Sequence, residues 1–315
     1  MRRNLLRLRP YLIAAFVGTI LVVDLSNQWE VPIAQLPGEL HDRIAGLEAD
    51  ARPETLLKLA NEGNAHAQYI YALRHTSYAP SKLQIKVDSG IAFNWIKRAA
   101  EGRHSRAMAV LALYHLKGLG TPKNLDEAKK WAAQAAAKSQ PMGYRVLGDI
   151  AKAEAEAMVI LKTDPDYKQR QADRAALINE ACVQYQRGAN SGDRSSLRAL
   201  GECFEKGLPG MPQNYRLALE YYTRAASRRD TESISILADR YENGEKAPRD
   251  LPQSYAWRLV LIELKEEEKD RESLKNLETQ MTLAEVQAGQ ELAIKLIKDM
   301  PSDASDALAR LNPAR

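Results

Sequence analysis

The chain has 315 residues and a 45% hydrophobic composition, enough to bury a large core and more than the roughly 150 residues of a common single domain. Three Phe against 13 Tyr, with Ala recurring in pairs and triplets, place the apolar content in small and amphipathic side chains, which suit close helix packing better than strands. The formal net charge is +4, but Arg2, Arg3, Arg7 and Arg9 all precede residue 10, so the body is near neutral and lacks the basic excess of a nucleic-acid-binding domain.

Residues 10–23 (PYLIAAFVGTILVV) carry no charge before Asp24, and behind the Arg cluster they make residues 1–26 an export segment. A full span takes about 20 apolar residues, so length favours a cleaved signal. The stretch after Val23 (DLSNQWEVPIAQ) has no Ala-x-Ala-like site and no Cys for a lipid, which favours an uncleaved anchor. The balance falls to an inner-membrane anchor over residues 5–25 with its Arg side chains at the interface, and secretion after cleavage is the alternative. Because positive charge stays inside, everything after residue 26 is expected in the periplasm. Residues 27–54 read as a linker and an N-terminal helix.

An internal period dominates the rest of the chain. FNWIKRAAEG (93–102), KKWAAQAAAK (129–138), VQYQRGANSG (183–192), LEYYTRAASR (219–228) and SYAWRLVLIE (254–263) each set an aromatic four residues before a small or aliphatic one. Trp95, Trp131, Tyr185, Tyr221 and Trp257 follow at intervals of 36, 54, 36 and 36, the long one being a period plus an insertion of 18. This periodicity assigns all five to the core. Asp88, Asn124, Asn214 and Asp250 stand seven residues before four of them, where a side-chain acceptor can cap the first turn of a helix. Ile178 holds that place before Tyr185, which agrees with a helix extended upstream by the insertion.

Each of these second helices is preceded by a first helix marked by a large residue before a small one: Tyr71-Ala72, Leu111-Ala112, Leu147-Gly148, Leu200-Gly201 and Leu237-Ala238. Turns near Gly63, Gly102 and Gly192 lead into these helices, and Gly118, Gly207 and Gly244, seven residues after the large residue, are placed to end three of them. The unit is a helical hairpin of about 36 residues whose apolar stripe is buried only by stacked neighbours.

The order AxxGxxxA, LGxxYxxG and a capped DxxxAxxWxxxAA resembles the Sel-one-like repeat, a variant of the tetratricopeptide repeat. ANEGNAHAQ (60–68), LKGLGTPKNLDEAKKWAAQAA (116–136) and EKGLPGMPQNYRLALEYYTRAA (205–226) carry the match. The resemblance implies an all-α, right-handed α-solenoid of about five helix-turn-helix repeats over residues 55–265, with insertions near 74–87 and 152–172. It also implies work as an assembly scaffold of envelope machines such as exopolysaccharide secretion, or as a regulator of envelope signalling proteins.

Beyond the repeats, LKEEEKDRESLKNLETQ (264–280) reads as a solvated helix. Thr282 and Glu285 form a capping-box pair for an amphipathic helix, so that residues 266–299 cap the array and 300–315 form a tail.

Chemistry-bearing patterns are sparse. The five His never form HxxH or HxxxH and the two Cys are not a CxxC pair, so no metal site is expected; GLGTPKN (118–124) lacks the order of a phosphate loop, and no cofactor is expected. Glu101, Glu202 and Glu205 are available to a glycan-cleaving pair, but nothing marks two of them as desolvated, and no catalytic residue is assigned. Tyr69, Arg145 and Arg198 stand three residues before the small first-helix position and are the candidate binding surface for a protein partner. Cys182 and Cys203 lie symmetrically about the Gly192–Asp193 turn, so antiparallel helices put them at one height, and a disulfide is expected in an exported chain. Recognition of another protein by a non-enzymatic scaffold is the function this architecture predicts, with regulation of a membrane signalling protein or of cell-wall hydrolases as the alternative and a glycan-cleaving enzyme as the rival class.

Overall fold

The structure is a computed structural model that describes residues 53–76, 85–207, 211–265 and 268–300. The export segment 1–26, the linker to residue 52, most of the insertion near 74–87 and the tail beyond Met300 lie outside the described residues. Among the described residues no helix is long and apolar enough to cross a membrane.

Among those residues there are thirteen helices and no strand. A lone helix α1 (Pro53–Asn61) opens the array. Five hairpins follow: α2 (Ala65–Leu73) with α3 (Ser89–Glu101), α4 (Ser105–Lys117) with α5 (Leu125–Ala137), α6 (Pro141–Ala157) with α7 (Tyr167–Asn190), α8 (Arg194–Lys206) with α9 (Tyr215–Ala226), and α10 (Thr231–Asn243) with α11 (Leu251–Lys265). Helices α12 (Glu268–Glu278) and α13 (Leu283–Asp299) close the C-terminal end against α11. From α1 to α12 each helix packs on the next in sequence, the nearest-neighbour contact pattern of an α-solenoid, and α13 folds back onto α11.

Both ends of each hairpin follow from local chemistry. Second helices start at side chains that accept first-turn N–H groups: Asp88 from Gly90 and Ile91, Asn124 from Glu127, Asn214 from Leu217 and Asp250 from Gln253. The sequence missed an equal series on the first helices, where Asn64, His104, Asp193 and Asp230 accept from the N–H three residues on. Gln140 makes no such bond, and Pro141 follows it at the first helical position instead. The residue just before each of these five starts has positive φ: Gly63, Arg103, Ser139, Gly192 and Arg229. The left-handed residue of the second turn is thus Arg103, not Gly102, whose φ is −71°. Gly118 and Gly244 end α4 and α10 in the left-handed conformation, and Thr282 with Glu285 forms the capping box of α13.

The aromatic register departs from the sequence expectation. Tyr185 and Trp257 are buried, but Trp95, Trp131 and Tyr221 are half-buried. Matching the small pairs Ala99-Ala100, Ala135-Ala136, Gly188-Ala189 and Ala225-Ala226 explains this: the buried column is Ile96, Ala132, Tyr185 and Tyr222. Trp95, Trp131 and Tyr221 sit one position earlier, at the rim of the core, where the guanidinium carbons of Arg98 and Arg224 lie 4.4 and 5.1 Å from the Trp95 and Tyr221 ring centres. Trp257 is a rim residue by its cap spacing, yet it is only 3% exposed because Leu264, Leu296 and Met300 pack into its cluster.

The small first-helix position has a steric purpose. A Cβ at Gly148 would stand 2.5 Å from Tyr185 Cε1, and one at Gly201 would stand 2.9 Å from Tyr222 Cε1. Where the second helix buries a tyrosine in this column, the first helix yields its side chain so that the ring can enter.

Candidate functional site

The structure gives Tyr69, Arg145 and Arg198 one shared geometric role. Each lies five residues after a first-helix cap and reaches the cap of the next first helix. The Tyr69 ring stacks on His104 with centroids 4.6 Å apart, Arg145 Nε lies 3.6 Å from Asp193 Oδ1, and Arg198 Nε lies 3.2 Å from Asp230 Oδ1. Tyr69, at 1% exposure, is a core residue, which corrects its place on a binding surface. The Arg145 and Arg198 side chains are 13% and 24% exposed, and their heads are engaged between repeats.

The caps they reach are buried. Burial pushes the Asp193 carboxyl above the usual carboxylate range, against the pull of Arg145 and the Ser196 hydrogen bonds. Arg198 also pairs with Glu202 and Glu232; burial disfavours its charge, but Asp230, Glu232 and Glu202 outweigh it and raise its pKa. At the second repeat, His66 Nδ1 and His104 Nε2 meet at 3.0 Å while His104 Nδ1 accepts the Ala107 N–H. Two histidines therefore converge although no sequence motif joined them. Among the described residues no group of three or more His, Cys, Asp or Glu is arranged to hold a metal ion.

A second set of contacts ties three buried tyrosines to carboxylates. Tyr185 donates to Asp149 at 2.9 Å, and Asp149 also accepts from Arg145 at 2.9 Å, which joins this set to the first. Tyr222 donates to Glu205 at 2.8 Å, and Tyr255 donates to Glu278 at 2.8 Å. Burial and the adjacent carboxylate push the Tyr185 and Tyr222 hydroxyls well above the usual range, so both remain proton donors. Glu205 additionally accepts from Arg240 and Lys246; burial raises its pKa, but Lys246, Tyr222 and Arg240 together pull it below its ordinary value. That holds Glu205 as an anion, the reverse of what a general acid needs. Glu202 is tied to Arg198 and Lys152, and Glu101 is exposed, so these carboxylates serve the array as charge partners or solvated groups.

Cys182 on α7 and Cys203 on α8 are bonded in the structure, with Cα atoms 6.3 Å apart, inside the range of about 4.4–6.8 Å that such bonds span. The bond joins the third hairpin to the fourth. The insertion near 152–172 takes the form of longer helices: α6 has 17 residues and α7 has 24, joined by residues 158–166.

Four segments of the chain, residues 65–104, 105–139, 194–230 and 231–257, match the Sel1 repeat. The chain is a Sel1-like repeat protein. A solved Sel1 repeat protein from Oxalobacter formigenes superposes with a TM-score of 0.51 at 20% identity, over 78% of this chain and 67% of its own. Chitin synthase regulatory factor 3 of Schizosaccharomyces pombe is 27% identical over 177 residues, and chitin synthase regulator SKT5 of Saccharomyces cerevisiae is 27% identical over 178. Each match covers 55% of this chain but only 18% and 24% of the two relatives. The segments break between 139 and 194, where α6 and α7 are lengthened.

Proposed function

We propose that the chain is a non-enzymatic scaffold for protein partners in the cell envelope, held at the outer face of the inner membrane by its amino-terminal segment. The observation that carries this reading is the repeat array itself. Stacked hairpins are locked to one another through Tyr69–His104, Arg145–Asp193 and Arg198–Asp230, which makes an extended and stiff docking surface. Carboxylates of the array are engaged within it: Asp149 holds Tyr185 inside the third hairpin, and Glu205 accepts from Tyr222 of its own hairpin and from Arg240 of the next.

The polysaccharide context has support in the two fungal relatives, which are named as regulators of a polysaccharide-forming enzyme. An exopolysaccharide secretion assembly is the setting that joins this likeness to an export segment. The same names favour a second reading, in which the chain regulates a membrane partner's activity. Affinity purification of the tagged full chain from envelope fractions tests the scaffold: a stoichiometric partner should co-purify, with no turnover of peptidoglycan or polysaccharide. Turnover that disappears on replacing one Glu would overturn it in favour of the enzyme. Loss of a partner's activity control in a strain lacking the chain, with the partner still assembled, would support regulation.

A further inference from the structure

The lengthened third hairpin leaves a trough along α7, in the stretch between the matched repeats. None of residues 167–180 of α7 is buried, and burial on this helix begins at Ala181. Two cavities, of about 240 and 340 Å³, share Arg174 and Ile178. On α7 their lining includes Tyr167, Gln171, Arg174, Ile178, Ala181 and Tyr185, spaced four, three, four, three and four residues apart along one face of the helix, with Ala175 and Cys182 at its edge. Over that stretch a helix rises about 27 Å. The floor is completed by Ala155 of α6, Ala199 of α8 and the Cys182–Cys203 bridge.

The rim is cationic. Lys152, Lys162, Arg174 and Lys206 face Glu156 and Glu202, and Glu202 is already paired with Lys152 and Arg198. Lys162, Arg174 and Lys206 have no carboxylate within ion-pair distance among the described residues. Val159 and Leu161, neighbours in sequence of the lining residues Ile160 and Lys162, stand 69% and 56% exposed on the connection that the insertion creates. A floor made apolar by Ala155, Ile178, Ala181 and Ala199, two exposed aliphatic side chains on the adjoining connection and a surplus of positive charge specify the complement.

We infer that this trough docks an amphipathic helix of a partner protein, aliphatic on the face it buries and acidic along its flanks. The inference rests on the scaffold reading and assigns that reading a site. Small residues on the floor admit aliphatic anchors, while Arg174 and Lys206 meet the flanking carboxylates.

The test selects random 18-residue peptides from a display library on the full chain, then measures the winners against an Arg174→Glu/Lys206→Glu variant. Both side chains are exposed and free of ion-pair partners among the described residues, so the variant should melt with the wild type, which circular dichroism checks. Winners with aliphatic residues at helical spacing and acidic flanks, weakened tenfold or more by the double variant, are the expected result. Winners of basic or neutral character, or winners that bind the variant equally, would overturn the trough while leaving the scaffold reading intact, and so would the absence of any winner. Binding of a synthetic peptide of residues 36–50 as tight as the best winner would make this chain's own segment the occupant and overturn the assignment to a partner. Failure of the scaffold reading shows separately, as envelope purifications without a stoichiometric partner.

Discussion

Arg145 on α6 spans from its own repeat to the next: its Nε lies 3.6 Å from the buried carboxylate of Asp193, which caps α8, and its Nη1 lies 2.9 Å from Asp149. The contact crosses 48 positions of sequence but one step of the array. It makes the start of the fourth hairpin depend on the third, and Tyr69 with His104 and Arg198 with Asp230 repeat the arrangement with other chemistry. Coupling of this sort sets how stiffly a solenoid holds its surface.

Replacing Arg145 with Met should cost about 2–3 kcal/mol at pH 7, somewhat under the loss for a fully enclosed pair because Arg145 keeps some exposure. The penalty depends on pH with a definite sign. Burial already raises the Asp193 pKa, and Arg145 opposes that rise. Without Arg145 the folded protein holds the Asp193 proton still more firmly than the unfolded chain does, so the variant recovers stability as pH falls through the folded pKa. Urea melts followed from pH 7 downward should show the gap shrinking as the pH is lowered, and a gap that stays constant to the acid limit of folding would refute the role given to this pair.

Glu205 titrates in the other direction. Its folded pKa lies below the ordinary 4.5, so its contribution is complete above that value and is lost as pH falls through the folded pKa. Glu205→Gln should therefore cost about 2 kcal/mol at neutral pH, the size of a hydrogen-bonded charge. The difference from wild type should narrow as pH falls below 4.5 and the wild type protonates. A gap that persists there would show that shape, not charge, is what Gln fails to supply.

Much of the fold was written in the sequence because capping and close packing are local. Asp88, Asn124, Asn214 and Asp250 announce their helices through short polar side chains, and the small residue after each large one announces a close approach. The first-helix caps carried the same signal unread: Asn64, His104, Asp193 and Asp230 stand seven residues before Tyr71, Leu111, Leu200 and Leu237. Register was harder. Tyr185 fits the aromatic spacing by one residue's coincidence, and only the Gly188-Ala189 pair betrays that it belongs with Tyr222. Contacts between repeats, such as Tyr69 with His104, could not be read from a single unit, since their meaning depends on which residues the stacking brings together. The trough is of that kind too, formed where the lengthened α6 and α7 meet α8.

The Cys182–Cys203 bond ties α7 to α8 beside the trough. Thiol titration of the unreduced, denatured protein should find no reactive thiol, and two per chain would refute the bond. Changing both cysteines to Ser should cost about 3 kcal/mol through the freed unfolded chain. The same change should leave the melting of the isolated wild type after reduction nearly matched, because both lack the cross-link.

Gly148→Ala sets two local effects against each other. Alanine is the better helix former by about 1 kcal/mol, yet its Cβ would meet Tyr185 Cε1 at 2.5 Å and the Ala181 carbonyl oxygen at 3.0 Å. Packing prevails, with a net loss of about 2 kcal/mol expected from chemical denaturation. In a Tyr185→Leu background the same substitution should cost markedly less, and the difference is the coupling energy of ring and glycine. Equal costs in the two backgrounds would detach Gly148 from Tyr185.

The revised register makes a comparison that size alone would get backwards. Tyr222 is 1% exposed at the centre of the core, whereas Trp131 is half-buried at its rim, its indole N–H donating to Glu127 at 3.0 Å. Tyr222→Ala should cost about 3–5 kcal/mol, the usual range for emptying a buried aromatic site, and more because the Glu205 hydrogen bond goes with it. Trp131→Ala should cost only about 1–2 kcal/mol, since much of the ring's area already faces water. Paired denaturant titrations settle the order. If Trp131→Ala proved the more damaging, the buried column would have to be reassigned to the tryptophans and the alignment on the small pairs abandoned.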